Sequence, residues 1–156
     1  MATTFNSNQY ANQIGIEKST SPVVAHTKFF NGVTATADTG TINLLKLPPG
    51  RIRIFPYGLS GFLCANMDEN ANMSIGLSAY TAANGVAVVA DVDVLMGSAF
   101  VNTAVIANAA TLMANVANGG LLVESMEGVT VTATITDANT VAAGTYSGWL
   151  TYTVLA

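Results

Sequence analysis

Hydrophobic and polar residues alternate over much of this chain, and the clearest run lies near its end. Val129, Val131, Ala133 and Ile135 take turns with Thr130, Thr132, Thr134 and Thr136. A period of two sends successive side chains to opposite faces, so this segment reads as a half-buried strand with a threonine-covered outer face. A loop through residues 137–144 follows, after which Tyr146, Leu150, Tyr152 and Val154 share one face and Ser147, Trp149, Thr151 and Thr153 the other. The two strands are expected to pair as an antiparallel hairpin, residues 128–155, that closes the core.

Upstream, Ile42 and Leu44 precede Leu45 and Leu47, a change of phase that predicts a β-bulge before Pro48-Pro49-Gly50 turns the chain. Ile52 and Ile54 then face inward, and Arg51 and Arg53 outward. Further strands are expected over residues 23–30, 32–37, 62–65, 74–80, 86–96 and 121–125, separated by Gly, Asn and Pro signals. The stretch 97–118 reads as one strand followed by an irregular or helical excursion, because Val105, Ile106, Ala109, Leu112, Met113 and Val116 approach a helical period. Residues 1–22 differ in kind. They are rich in Asn, Gln, Ser and Thr, with Phe5, Tyr10, Ile14 and Ile16 spaced among them as isolated apolar anchors. The expected organisation is an all-β chain: an extended N-terminal arm, 1–22, that docks on another chain or on the domain itself, and one antiparallel β-sandwich or jelly-roll domain, 23–156.

Composition adds a partner to this picture. The chain has 156 residues, enough for one domain without disulfide or metal, and it is 51% hydrophobic but only 9% charged. So few charges leave little solubilising surface for a free monomer, which implies that a partner covers part of it. The charges are also segregated. Residues 1–53 hold five bases and two acids, a net +3, whereas the rest carries seven acids and no base, a net −7. That asymmetry suits an oriented interface in which Arg51 and Arg53 meet an acidic partner or a neighbouring copy. The net charge of −4 and the lack of a basic stripe disfavour nucleic acid. No window reaches the roughly 18 apolar residues of a membrane span, and no secretory leader is expected. The single Cys64, in an apolar run, reads as an inert buried thiol and fits assembly in a reducing cytoplasm.

Catalytic groupings are sparse. His26 is the one histidine, so a multi-histidine metal site cannot be built, and its alternating surroundings favour a structural imidazole. There is no Gly-x-Ser-x-Gly elbow and no phosphate loop. Asp91 and Asp93 flank Val92 and form either part of a cation site or a solvated strand face. Asp68-Glu69-Asn70 reads as a loop tip, and Asn72-Met73-Ser74 matches a glycosylation acceptor by chance. No catalytic residue, cofactor or metal is assigned. The candidate partner-binding residues are Phe5, Tyr10, Ile14, Ile16, Arg51 and Arg53.

Four segments carry a resemblance: Gly40-Thr41-Ile42-Asn43-Leu44-Leu45-Lys46-Leu47-Pro48-Pro49-Gly50-Arg51-Ile52-Arg53-Ile54, Ala90-Asp91-Val92-Asp93-Val94-Leu95, Gly119-Gly120-Leu121-Leu122-Val123-Glu124-Ser125-Met126-Glu127-Gly128-Val129-Thr130-Val131, and Gly148-Trp149-Leu150-Thr151-Tyr152. Together, over most of residues 38–155, the chain resembles small head proteins of tailed bacteriophages that decorate, or cement, the capsid. These motifs are structural rather than chemical. The resemblance implies a β-sandwich or jelly-roll subunit of the virion, assembled in the host cytoplasm, that sits on the outer capsid surface. It implies self-association as a dimer or trimer and clamping of adjacent major capsid protein subunits. Three other readings stay open: a self-polymerising surface subunit, a tail or baseplate adhesion module binding glycans through Trp149 or Tyr57, and a small enzyme.

Overall fold

The structure, a computed structural model, describes residues 3–6, 25–33, 40–55, 60–64, 72–100, 105–107, 120–136 and 145–155, and these contain strands and no helix. In chain order the strands are β1 (Thr3–Asn6), β2 (Ala25–Val33), β3 (Gly40–Leu47), β4 (Gly50–Ile54), β5 (Gly61–Cys64), β6 (Asn72–Leu77), β7 (Tyr80–Thr81), β8 (Ala87–Val88), β9 (Asp91–Phe100), β10 (Val105–Ala107), β11 (Leu121–Ser125), β12 (Val129–Thr136) and β13 (Thr145–Leu155). They form a five-stranded sheet ordered β1-β3-β12-β6-β9 and a six-stranded sheet built around β13, with β7 and β8 as a separate two-stranded hairpin. All pairings are antiparallel except β1 with β3. The all-β sandwich expected from the alternation is therefore the fold.

β13 organises the six-stranded sheet. β2 pairs along one side of it from Thr145 to Thr153, while β5 (opposite 146–149) and β4 (opposite 152–155) share the other side end to end. At the junction Thr151 would have an unserved backbone. Instead Phe55 donates its N–H to Thr151 O at 3.0 Å, and Thr151 N–H donates to Ser60 Oγ at 3.1 Å. A buried strand keeps its hydrogen bonds across a gap only by such substitution.

The interior lies between the sheets. Ile42, Leu44, Leu45, Ile52, Ile54 and Ala133 are fully buried. The phase change at Leu44-Leu45 is a bulge: Val131 pairs with Leu45 but Thr132 pairs with Asn43, so both leucines point inward. A second irregularity lies between β6 and β9, where Leu77 sits opposite Asp91 although Ile75 sits opposite Met96. Gly76 permits it, since a Cβ there would meet Asp91 O at 2.0 Å. At one border of the sandwich the half-buried Lys28 of β2 donates from Nζ to the Lys46 carbonyl of β3 at 3.2 Å, and burial lowers its pKa.

The expected hairpin of residues 128–155 does not form. β12 belongs to the five-stranded sheet, between β3 and β6, and β13 belongs to the other sheet. Both apolar faces are buried as anticipated, with Val129, Val131, Ala133 and Ile135 at 3% exposure or less and Leu150 and Tyr152 at 4%. Facing each other across an interior hides two such faces as well as lateral pairing does, and the eight-residue connection through 137–144 leaves room to change sheets. The threonine face is less open than expected, because Thr132, Thr151 and Thr153 are buried. The strands expected at 74–80 and 86–96 end or break earlier, giving way to the β7–β8 hairpin. The stretch 97–118 yields the end of β9 and β10, its remainder lying outside the described residues, as do residues 34–37 of the expected 32–37 strand.

Two outcomes follow. Ile135→Ala and Leu150→Ala each remove a buried side chain and are expected to cost about 2–5 kcal/mol, whereas Thr145→Ala at an exposed site changes stability by less than about 0.5 kcal/mol; urea unfolding measures both. Tyr146 is buried, its hydroxyl finds no hydrogen-bond partner among the described residues, and desolvation raises its pKa from 10.0 to about 12. The unfolded chain therefore loses this proton first, and stability present below pH 10 declines as pH rises toward about 12. Tyr146→Phe should flatten that decline while leaving neutral-pH stability unchanged or slightly higher, as an alkaline series of urea melts would show. An equally steep decline in the variant contradicts the assignment.

Candidate partner-binding surface

Arg51 and Arg53 stand on the outer face of β4, alternating with the inward Ile52 and Ile54. Their environments differ. Opposite Arg51 on β11 is Glu124, and Arg51 Nε donates to Glu124 Oε1 at 2.8 Å with both side chains about half exposed. Arg53 lies opposite Leu122 on one side and Thr153 on the other, with no carboxylate partner among the described residues. Among the described residues, Arg51 is paired with a carboxylate and Arg53 is not. Leu122 beside it is 40% exposed, and further across the same face Phe29 is 66% exposed.

The arm residues fare unevenly. Phe5 falls in β1, whose backbone pairs in parallel with β3 in the register Phe5 opposite Ile42. This part of the arm thus extends the chain's own sheet. Tyr10, Ile14 and Ile16 lie outside the described residues, as do Tyr57, the Cys64 side chain and Asp68-Glu69-Asn70.

A second surface was not foreseen. Between β6 and β9 the chain makes a tight hairpin in which Ala82 N–H donates to Val86 O at 2.8 Å, Gly85 N–H to Ala82 O at 2.9 Å and Val86 N–H to Asn84 Oδ1 at 3.1 Å. Gly85 takes φ +81, the left-handed conformation that closes a three-residue hairpin loop. Met126 N–H donates to Thr81 O at 3.0 Å and Ala82 bridges Ser125, fastening the hairpin to the end of β11. Val86, Val89 and Met126 are left exposed on it, Val89 by 83%. The readable signal was Asn84-Gly85, a hairpin dipeptide in the gap between the strands expected at 74–80 and 86–96.

The remaining candidate chemistry is dispersed. The half-buried His26 stacks on Tyr152, with ring centroids 5.5 Å apart at 27°. Ser60 Oγ is engaged with Phe55 O and Thr151 N. Asp91 and Asp93 are exposed, and no group of three or more metal-ligating side chains occurs among the described residues. Asn72-Met73-Ser74 lies in β6, flanked by strands on both sides, with Met73 and Ser74 buried. Trp149 is a packing aromatic: a Cβ on Gly61 would lie 2.5 Å from its ring, so the indole covers that glycine.

What these features define is a two-sheet antiparallel β-sandwich with exposed apolar and charged patches on its surface. No family model and no curated protein match the chain. Its fold is similar to that of a chain in the cyanophage Pam1 capsid asymmetric unit, at TM-score 0.59 and 15% identity, covering 92% of this chain and 94% of that one. A weaker likeness, at TM-score 0.46 and 11% identity, is to infectious bursal disease virus Gx strain, covering 92% of this chain and 37% of that one.

The Arg51–Glu124 pair is solvent-exposed, so a double-mutant cycle with Arg51→Ala and Glu124→Ala is expected to give a coupling below about 1 kcal/mol that shrinks as salt is raised. A coupling of several kcal/mol that ignores salt would contradict a surface role.

Proposed function

We propose that this chain is a non-enzymatic structural protein of a virus particle, a decoration or cement subunit on the outside of a tailed-phage head that stabilises contacts between major capsid proteins. The observation that carries the reading is the likeness to the Pam1 capsid chain, which runs nearly end to end in both proteins. The sequence resemblance to phage decoration proteins points the same way, as does a surface with few charges and exposed apolar groups. Physically, a subunit bound across a boundary adds contact free energy that must be lost before the boundary opens, and many copies multiply a modest contact. Arg53 is the side chain on β4 best placed for an acidic partner, and the arm beyond β1, with Tyr10, Ile14 and Ile16, supplies tethered contacts that gain from effective concentration.

The test is co-sedimentation of the purified chain with empty expanded shells of its particle. Saturable occupancy at a fixed ratio to the major capsid protein is expected. Deleting residues 2–20, which removes β1 but none of the buried core strands, should leave a folded domain with reduced occupancy. Failure to occupy shells at any concentration, with binding to host-surface glycans instead, would move the chain to the adhesion reading.

A further inference from the structure

An edge strand turns N–H and C=O groups away from its sheet, a template on which another chain can pair. Among the described residues β1 and β9 border the five-stranded sheet, and β2, β10 and β11 border the six-stranded one. Most of these edges are guarded. β1 and β10 have four and three residues. β9 pairs through two register shifts and exposes Asp91, and β11 is fastened at its end to the β7–β8 hairpin, Met126 N–H donating to Thr81 O. β2 is different. It runs nine residues, Ala25–Val33, in unbroken register with β13, and contains no proline, acid or bulge. Its one lysine, Lys28, is turned to the Lys46 carbonyl of its own chain.

The hydrogen bonds around Thr151 fix which groups of β2 point outward. Thr151 directs both its N–H and its C=O to Ser60 and Phe55, on the side of β13 away from β2. Direction alternates along a strand, so Leu150 and Tyr152 turn theirs to β2, where they lie opposite Lys28 and His26. Ala25, Thr27 and Phe29 therefore carry their N–H and C=O on the other edge, and all three residues are exposed, Phe29 by 66%. An antiparallel edge is complementary to a second copy of itself about a two-fold axis. A register centred on Lys28 sets two ammonium groups opposite each other. One centred on Phe29 sets Lys28 opposite Phe30 instead and brings the two exposed rings together. We propose that two copies of this chain pair edge to edge through β2, antiparallel, with Phe29 opposite Phe29 of the second copy. The two six-stranded sheets then continue into one another and both rings leave water. Because the same edge serves both copies, the contact closes at the dimer. The proposal deepens the self-association included in the decoration reading and rests on that reading for the dimer's place in a particle.

Sedimentation velocity on the full chain over a concentration series tests it, with Phe29→Lys and Phe29→Glu as variants. Phe29 is exposed, so each variant should melt as wild type does. Wild type is expected to form dimers and nothing larger. Each variant sets like charges opposite each other and should need at least about tenfold more protein for half-association. Mixed in equal amounts, the two should recover a 1:1 dimer, because opposite charges then face each other. Amide exchange gives a readout that needs no variant: the Thr27 and Phe29 amides should slow as wild-type concentration rises through the dimerisation range, while those of His26 and Lys28, turned to β13, stay as they were. Wild type that is monomeric at every concentration, variants that dimerise as wild type does, a mixture that stays monomeric, or Thr27 and Phe29 protection that ignores concentration each overturn the contact. Shell occupancy measured in parallel separates the two readings. Monomeric wild type that occupies shells overturns the contact alone, and a wild-type dimer with complementing variants that binds no shell supports the contact and overturns the shell reading.

Discussion

β12 and β13 each carry one apolar face, and the chain buries both by setting the two strands in opposed sheets across a common interior. The rest of the fold is arranged around that opposition. β12 holds β3 and β6 in one sheet, and β13 gathers β2, β4 and β5 in the other. Where β4 and β5 fail to meet, Phe55 and Ser60 complete the hydrogen bonding of Thr151, and where β3 is a residue too long, the bulge turns both Leu44 and Leu45 inward. Such devices keep the two faces opposed and dry, and the hydrophobic contribution scales with the area so removed from water.

The buried residues are mostly apolar, with a few serine and threonine hydroxyls among them, and several of the polar groups of the described residues serve structure. His26 stacks, Ser60 bridges strands, Lys28 ties one sheet to the other and Trp149 covers a glycine. What is left for function is the outside, where the hairpin tip exposes Val86, Val89 and Met126 and the outer face of the six-stranded sheet exposes Phe29 and Leu122. Exposed apolar side chains of this kind suit contact with a partner.

Much of this was readable from a period of two. Alternation located β12, β13 and β11, aimed Ile52 and Ile54 inward and Arg51 and Arg53 outward, and its break at Leu44-Leu45 announced the bulge. Period two reports faces, however, and says nothing of partners. It could not tell a hairpin of β12 with β13 from two strands in opposed sheets, nor reveal that Arg51 is held by Glu124 while Arg53 is not, nor that β1 joins β3 in parallel. The tip was missed for a related reason: Val86, Val89 and Val92 resemble core residues by type, so the segment after Asn84-Gly85 reads as the start of a buried strand rather than as one arm of a short exposed hairpin.

The central claim is that this chain works through its surfaces, with its interior serving only to hold them in place. Amide hydrogen exchange on the free chain and on the chain assembled into particles tests this directly. The account predicts new protection in residues 80–92 and 120–127 and along β2, with β12 and β13 already slow in the free chain and unchanged by assembly. Protection that appears instead in β12 and β13, with the tip and the outer sheet face exchanging as freely as before, would contradict it.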